Sequence, residues 1–416
     1  TFKKMESYAG GEDEFRGRDG PLRVDDTPRH QVPLLEKMIA AAEKIGVPFN
    51  KDLNGATQEG IGMSQVTISK GRRQSTAYCY LDPARSRSNL TIQQDAMAET
   101  LILEGKRCVG VRYTVAGEAR EARASREVIV SSGSINSPKL LELSGIGQAD
   151  LLRSLGIELV HELKGVGENL RDHYSPRVKF AIKEKNATFN DNARGWRLAR
   201  EVIKYALFKD GFLARTSVPL RMYFRTREGL ETPDATISIL PFLYEMVGRQ
   251  RRIAKRQGIT MNVNVLRSES LGSIHVKSAD PAEPPAIKFN FLSSQHDRDG
   301  LLAAMRKGRE LMATSPVAEM TGEEIAPGID KQTDEELLEW VRNNAETTYH
   351  PVGTCKMGSD PMAVVDAQLR VHGIEGLRIA DASIMPTLTS GNTNAPSIMI
   401  GEKCAAMILA ASEDHM

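Results

Sequence analysis

An α/β fold in two domains is what this chain predicts, and three observations predict it. Glu127–Ser131, EVIVS, reads as a buried strand that runs through Ser132-Gly133-Ser134 into a helix over 136–143. A strand, a small-residue turn and a helix start is the βα unit of a parallel sheet. From 174 to 345 the texture changes to repeated strand patterns beside long polar helices, the pattern of a mixed or antiparallel sheet with flanking helices. The last seventy residues return to the first texture: a short strand at 377–380, then Asp381-Ala382-Ser383, then an apolar helix over 395–411.

Each element has its own reason. Leu34, Leu35, Met38, Ile39, Ala42 and Ile45 recur at helical spacing, so 32–45 is an amphipathic helix that stops at Gly46. Residues 15–24 and 49–62 are rich in Gly, Asp, Asn or Pro and read as loops. A helix can open at Ser75 or Thr76. Residues 89–93 read as a short strand, and 100–103 with 109–115 form a hairpin about Glu104-Gly105-Lys106. Pro138 suits the first turn of the 136–143 helix. Strands are expected at 177–182, 218–224, 235–240, 260–265 and 272–277, and helices at 297–313 and 334–344. The second of these helices carries a capping box, Thr333 with Glu336. The domains then run 1–173, 174–345 and 346–416, the third returning to the first.

Composition narrows function. The 416 residues can bury two cores. The 55 basic and 54 acidic residues leave a net charge of +1, so no global field points to nucleic acid or a membrane surface. The basic run 249–256 has no interleaved aromatics and reads as a solvated helix face or loop. Cys79, Cys108, Cys355 and Cys404 are scattered, so no metal site or disulfide framework is indicated, and a reducing cytoplasm fits. There is no signal peptide and no apolar run long enough to span a membrane.

The chemistry gathers at Thr347–Gly358, TTYHPVGTCKMG. A residue before proline is pushed into extended conformations, so His350 sits on a stiff segment with its imidazole displayed. Histidine alone trades protons near neutral pH without a perturbed pKa. Three further stretches accompany it: SGSINSPKLLELSGIG at 132–147, GVGENLRDH at 165–173 and LRIADASIMPTLTSGNTNAPSIMIGEK at 377–403.

Together these four stretches resemble the glucose–methanol–choline (GMC) family of flavin-dependent oxidoreductases, in that family's order and across essentially the whole chain. The resemblance implies a flavin domain built from non-contiguous segments and a substrate domain with an antiparallel sheet. It implies FAD as cofactor and oxidation of a small primary or secondary alcohol to an aldehyde or ketone. His350 corresponds to the family's general base. Asn394 corresponds to the second site residue, whose amide holds the substrate oxygen, and the pair Asn394–Ala395 lies beside the flavin. Asn392 and Asn394 also suit a helix N-cap, and both roles can coexist. Asp381 and Ala382 correspond to a strand end at the ribityl and pyrophosphate, Ala98 to a backbone contact with the adenine, and Tyr349 to the flavin edge. Oxygen or another acceptor completes the cycle. His173 reads as structural, fixed by Asp172, and Cys355 as packing. The strand 237–242, with Tyr244, is the expected substrate-pocket wall.

The chain departs from the family by lacking the G-x-G-x-x-G turn that holds the pyrophosphate. Gly60-Ile61-Gly62 and Gly165-Val166-Gly167 are only G-x-G. The expectation is a family member without its N-terminal segment, that segment being supplied by another chain if flavin is held tightly. The rival readings are a flavin lyase or decarboxylase and an inactive, flavin-free subunit.

Overall fold

A computed structural model describes all residues except 12, 30, 31, 248, 249 and 414–416. It divides into two compact units, the first of Thr1–Arg85, Tyr174–Leu266 and His296–Thr347, the second of Ser86–His173, Arg267–Gln295 and Thr348–Met416. One division falls between 173 and 174, where a domain boundary is expected. Residues 1–85, expected with the first domain, lie in the unit of the large sheet, and 267–295, expected in the second domain, lie in the other.

The first unit is built on a six-stranded sheet in the order Thr321–Ala326, Arg177–Ile182, Gly258–Val265, Ala235–Leu240, Leu220–Phe224, Gly60–Met63. Every pairing is antiparallel. All six residues of Ala235–Leu240 are buried, so this strand has cover on both faces. One cover is the helix Gln295–Ala313, which approaches closely because two glycines face the sheet. A Cβ on Gly300 would stand 3.0 Å from Val265, and one on Gly308 3.3 Å from Met261. The helix Asp334–Asn344 starts at the expected capping box: Thr333 Oγ1 accepts from Glu336 N at 3.2 Å, and Glu336 Oε2 accepts from Thr333 N at 3.0 Å.

Several expectations are corrected here. Both sheet edges, Gly60–Met63 and Thr321–Ala326, are strands the pattern does not show. GIGM has little side chain to alternate, and TGEEIA is polar because an edge is half solvated. Leu22–Asp26 is a strand paired in parallel with Glu6–Tyr8. The second half of 72–81 forms one π-helical turn, Ala77–Leu81, after a short strand at Arg72–Arg73. The basic run is one arm of a hairpin, Tyr244–Val247 with Gln250–Ile253, and Arg249 lies outside the described residues. The helix Gly195–Phe208 was not expected.

In the second unit, Ala96–Glu104, Arg107–Val115 and Glu118–Arg123 form a three-stranded meander, and 89–93 is not a strand. Val128–Val130 pairs in parallel with Leu377–Ile379. The helix after the first of these begins at Gly133, three residues earlier than expected, so Pro138 falls in its second turn. Ser273–His275 pairs with Ala286–Lys288 in this unit and does not join the large sheet. Leu141, Val166, Val352, Cys355, Ile379 and Cys404 share one core, which binds the four sequence motifs together. The fold is therefore α/β, with a parallel element in one unit and an antiparallel sheet in the other.

Candidate active site

Segment 348–352 is laced to 171–173. Arg171 and Val352 exchange backbone hydrogen bonds of 3.1 and 2.9 Å, and Thr348 N donates to His173 O at 3.0 Å. Between these anchors Tyr349 takes φ +63°, a left-handed conformation that costs a bulky residue energy and turns its ring out, 73% exposed. His350 N then donates to the buried Asp172 carboxylate at 2.9 Å. Gly353 follows at φ +93°, where a Cβ would stand 2.4 Å from Asn169 O, so only glycine fits.

The other motifs tie into the same loop. Ser134 Oγ, in the first turn of the Gly133–Leu143 helix, donates to Pro351 O at 2.7 Å. Asn169 Nδ2 donates to Gly353 O at 3.2 Å. Ser383 O accepts from Cys355 N at 2.9 Å. Four stretches spread over 272 residues of chain thus converge on His350 (from Ser132 to Lys403).

The imidazole itself has an ordered set of neighbours. Thr348 Oγ1 donates to His173 O at 3.2 Å. Its single proton is thereby used, so towards His350 Nδ1, 3.0 Å away, it acts as acceptor. With the Thr348 proton so assigned, the ring proton is assigned to Nδ1, which also lies 3.0 Å from His173 Nδ1, the two rings meeting edge to face. In the neutral ring Nε2 is left with the lone pair. Asn392 Nδ2 points at it from 2.9 Å. His173, expected to be structural, thus touches His350 directly, and its side chain is almost fully buried. The carboxamide at Nε2 is that of Asn392, two residues before Asn394. Asn394 opens the helix Asn394–Glu413 and is exposed, with Ala395 half-buried behind it.

Asp381 stands at the carboxyl end of Leu377–Ile379. Its carboxylate accepts from Gly133 N at 3.0 Å, Ser137 Oγ at 2.5 Å and Ser383 N at 2.7 Å. It ties the parallel pair to the helix start, and Ala382 begins a short 3-10 turn there. Ala98 is exposed on its strand beside an irregularity in the register. Cys355 is wholly buried, and burial pushes its thiol well up, as packing requires. The expected pocket-wall strand lies in the first unit as Ala235–Leu240, with Tyr244 beginning the next strand.

A second histidine cluster was not legible in the sequence. His275 Nδ1 lies 2.7 Å from Glu142 Oε1, and Nε2 lies 3.1 Å from Glu168 Oε1. Glu142 is fully buried and its other oxygen accepts from Val276 N at 2.8 Å. The Glu142 hydrogen bond raises the His275 pKa, against the opposing pull of burial. Glu142 and His275 are 133 residues apart, and no local pattern links them.

Comparison with known proteins places this arrangement among oxidoreductases. GMC oxidoreductase family models match residues 1–175 and 268–401. The oxygen-dependent choline dehydrogenase of Escherichia coli O127:H6 is 43% identical over 411 residues, 98% of this chain and 73% of the relative. A pyridoxine 4-oxidase from Mesorbium loti superposes with a TM-score of 0.85 at 24% identity, covering 97% of this chain and 75% of that one. A formate oxidase of Aspergillus oryzae RIB40 superposes with 0.90 at 23% identity, covering 99% and 78%.

The chain belongs to the GMC oxidoreductase family, whose cofactor is FAD and whose chemistry is oxidation of the alcohol type. The second unit fits the ring end of that cofactor. It offers a lone-pair imidazole, a carboxamide donor and, at the parallel strand end, a turn where nothing lies within 4 Å of a Cβ built on Gly133. The two G-x-G turns do not fit its diphosphate. A Cβ on Gly62 would meet Asn50 O at 2.4 Å, and one on Gly167 would meet Ile274 O at 2.2 Å. Those glycines serve packing.

Proposed function

We propose that the chain oxidises a small primary or secondary alcohol to the aldehyde or ketone, with His350 as general base. His350 Nε2 takes the hydroxyl proton, which pushes electron density onto the carbinol carbon and weakens its C–H bond. FAD, when bound, supplies the acceptor for the hydride that leaves that carbon. Thr348 Oγ1 and His173 Nδ1 hold the His350 ring by its other nitrogen, so that Nε2 alone faces the substrate. The Asp172 carboxylate, bonded to His350 N, supplies negative charge beside the imidazolium as it forms.

Asn392 Nδ2 stands beside Nε2, so once an alcohol oxygen takes its place at Nε2 the Asn392 N–H can donate to that oxygen as charge develops. Asn394 is the family-motif candidate for the same task. In this reading Ala98, Tyr349, Asp381, Ala382, Asn394 and Ala395 line the cofactor. Residues 1–173 and 346–416 serve it, and 174–345 carry the substrate wall at 237–242 and Tyr244. Among the described residues no helix is long and apolar enough to cross a membrane, and a cytoplasmic location is part of the proposal.

The observation that carries the reading is the Thr348–His350–Asn392 hydrogen-bond line, which leaves a basic nitrogen facing a carboxamide. Choline is the first alcohol to test, because the 43% identical relative is a choline dehydrogenase. The experiment is anaerobic mixing of the flavin-loaded chain with choline and a panel of small alcohols, followed by flavin absorbance. Bleaching with matching aldehyde is expected. A flavin that stays oxidised with every alcohol sinks the reading.

A further inference from the structure

The helix Gly195–Phe208, GWRLAREVIKYALF, is amphipathic in the wrong sense for a core helix. At 100° per residue, Trp196, Ala199, Ile203 and Leu207 form one stripe, and that stripe faces solvent. Trp196, Ile203, Leu207 and the terminal Phe208 are between 57% and 72% exposed. The inward side carries Glu201, which accepts from Phe212 N at 3.1 Å. Val202 and Leu213 extend the bare apolar surface.

Cations border the stripe. Arg197 and Arg200 flank the Trp196 ring at 5.9 and 5.4 Å. Lys204 stands on the same side, and Lys209 follows the last turn. Between 191 and 215 there are six basic residues and three acidic ones. Arg200 reaches the buried Glu201 at 3.3 Å, while the ion pairs Arg197–Asp191 and Lys204–Asp210, at 3.5 and 3.1 Å, are at the surface. Such pairs are worth little and yield to a better anion.

We propose that this helix docks on an anionic lipid surface, its apolar stripe in the headgroup–acyl boundary and its cations on lipid phosphates. An interfacial helix combines an apolar face ending in aromatics with Lys and Arg on the polar face, and this one does both. Charge complementarity selects the occupant. A second copy meeting the same face by two-fold symmetry would set Arg197, Arg200, Lys204 and Lys209 against the same four cations, whereas anionic lipid answers both features at once. The proposal is independent of the reaction, since none of these residues belongs to the His350 site.

The test is sedimentation of the full chain with phosphatidylcholine vesicles containing about one-third phosphatidylglycerol, an anionic surface of the kind that attracts basic segments. The chain should pellet with these vesicles, far less with phosphatidylcholine alone, and release in part at high salt. The double variant Ile203→Glu, Leu207→Glu should pellet at least about tenfold less. Because both positions are exposed, its melting curve should match the parent's. A parent chain that stays in the supernatant with anionic vesicles overturns the proposal. So does a double variant that pellets like the parent. A solution dimer that the double variant dissociates assigns the stripe to a second copy and overturns it too.

Discussion

Two histidines of the second unit sit in opposite surroundings. His275 has a carboxylate on each ring nitrogen, one of them on a fully buried glutamate. Both of its nitrogens are committed, and its charge is what keeps Glu142 tolerable inside the protein. His350 is held at Nδ1 by Thr348 and His173 and meets a neutral carboxamide, not a carboxylate, at Nε2. A ring with a carboxylate on each nitrogen has both N–H groups committed; a ring whose Nε2 accepts from a neutral carboxamide keeps a lone pair there that a substrate proton can take. The loop 165–173 serves both, giving Glu168 to one histidine and Asp172 and His173 to the other.

Substitution should separate the two roles. His350→Ala should slow anaerobic flavin reduction by about 10²–10⁴-fold with little change in melting temperature. Rapid mixing checks it, and near-normal reduction would break the contrast. His275→Ala leaves Glu142 buried without its partner, so it should cost about 3–5 kcal/mol in denaturant unfolding. The folded fraction should still reduce its flavin.

The carboxamides sharpen the comparison. Asn392→Ala should lower the reduction rate by about 10²-fold, the usual loss for one oxyanion donor. Asn394→Ala should cost less, as Asn394 opens a helix and the Nε2 contact is made by Asn392. The reverse ranking would return the role to Asn394.

The smallest effect is one of pH. The folded His275 pKa lies above the unfolded value of about 6.5, so the bridge contributes fully below that pH. Its contribution fades as pH rises through the folded value. The melting temperature should fall over that interval, and Glu142→Gln should flatten the dependence.

How much of this the sequence disclosed follows from where each signal lies. Arg177–Ile182 and Ala235–Leu240 were legible to the residue because β-branched runs in a central sheet leave a local pattern. The edge strands Gly60–Met63 and Thr321–Ala326 were not, since half-solvated edges need no such run. The Gly195–Phe208 helix hid its period because Arg197, Arg200 and Lys204 are interleaved in sequence with the apolar stripe they border. His350 stood out because its proline and glycine neighbours dictate backbone shape. The choice between Asn392 and Asn394 turns on which way a turn of the chain faces, which two adjacent motif positions do not reveal. Glu142, Glu168 and His275 meet only through tertiary folding, so no spacing announces them.

The most direct measurement is the tautomer of His350, read from ¹⁵N shifts of histidine-labelled protein near neutral pH, with His350→Gln to assign the signal. The account predicts a neutral ring protonated at Nδ1 with an unprotonated Nε2. A ring protonated at Nε2 would have no lone pair for the substrate and would contradict it.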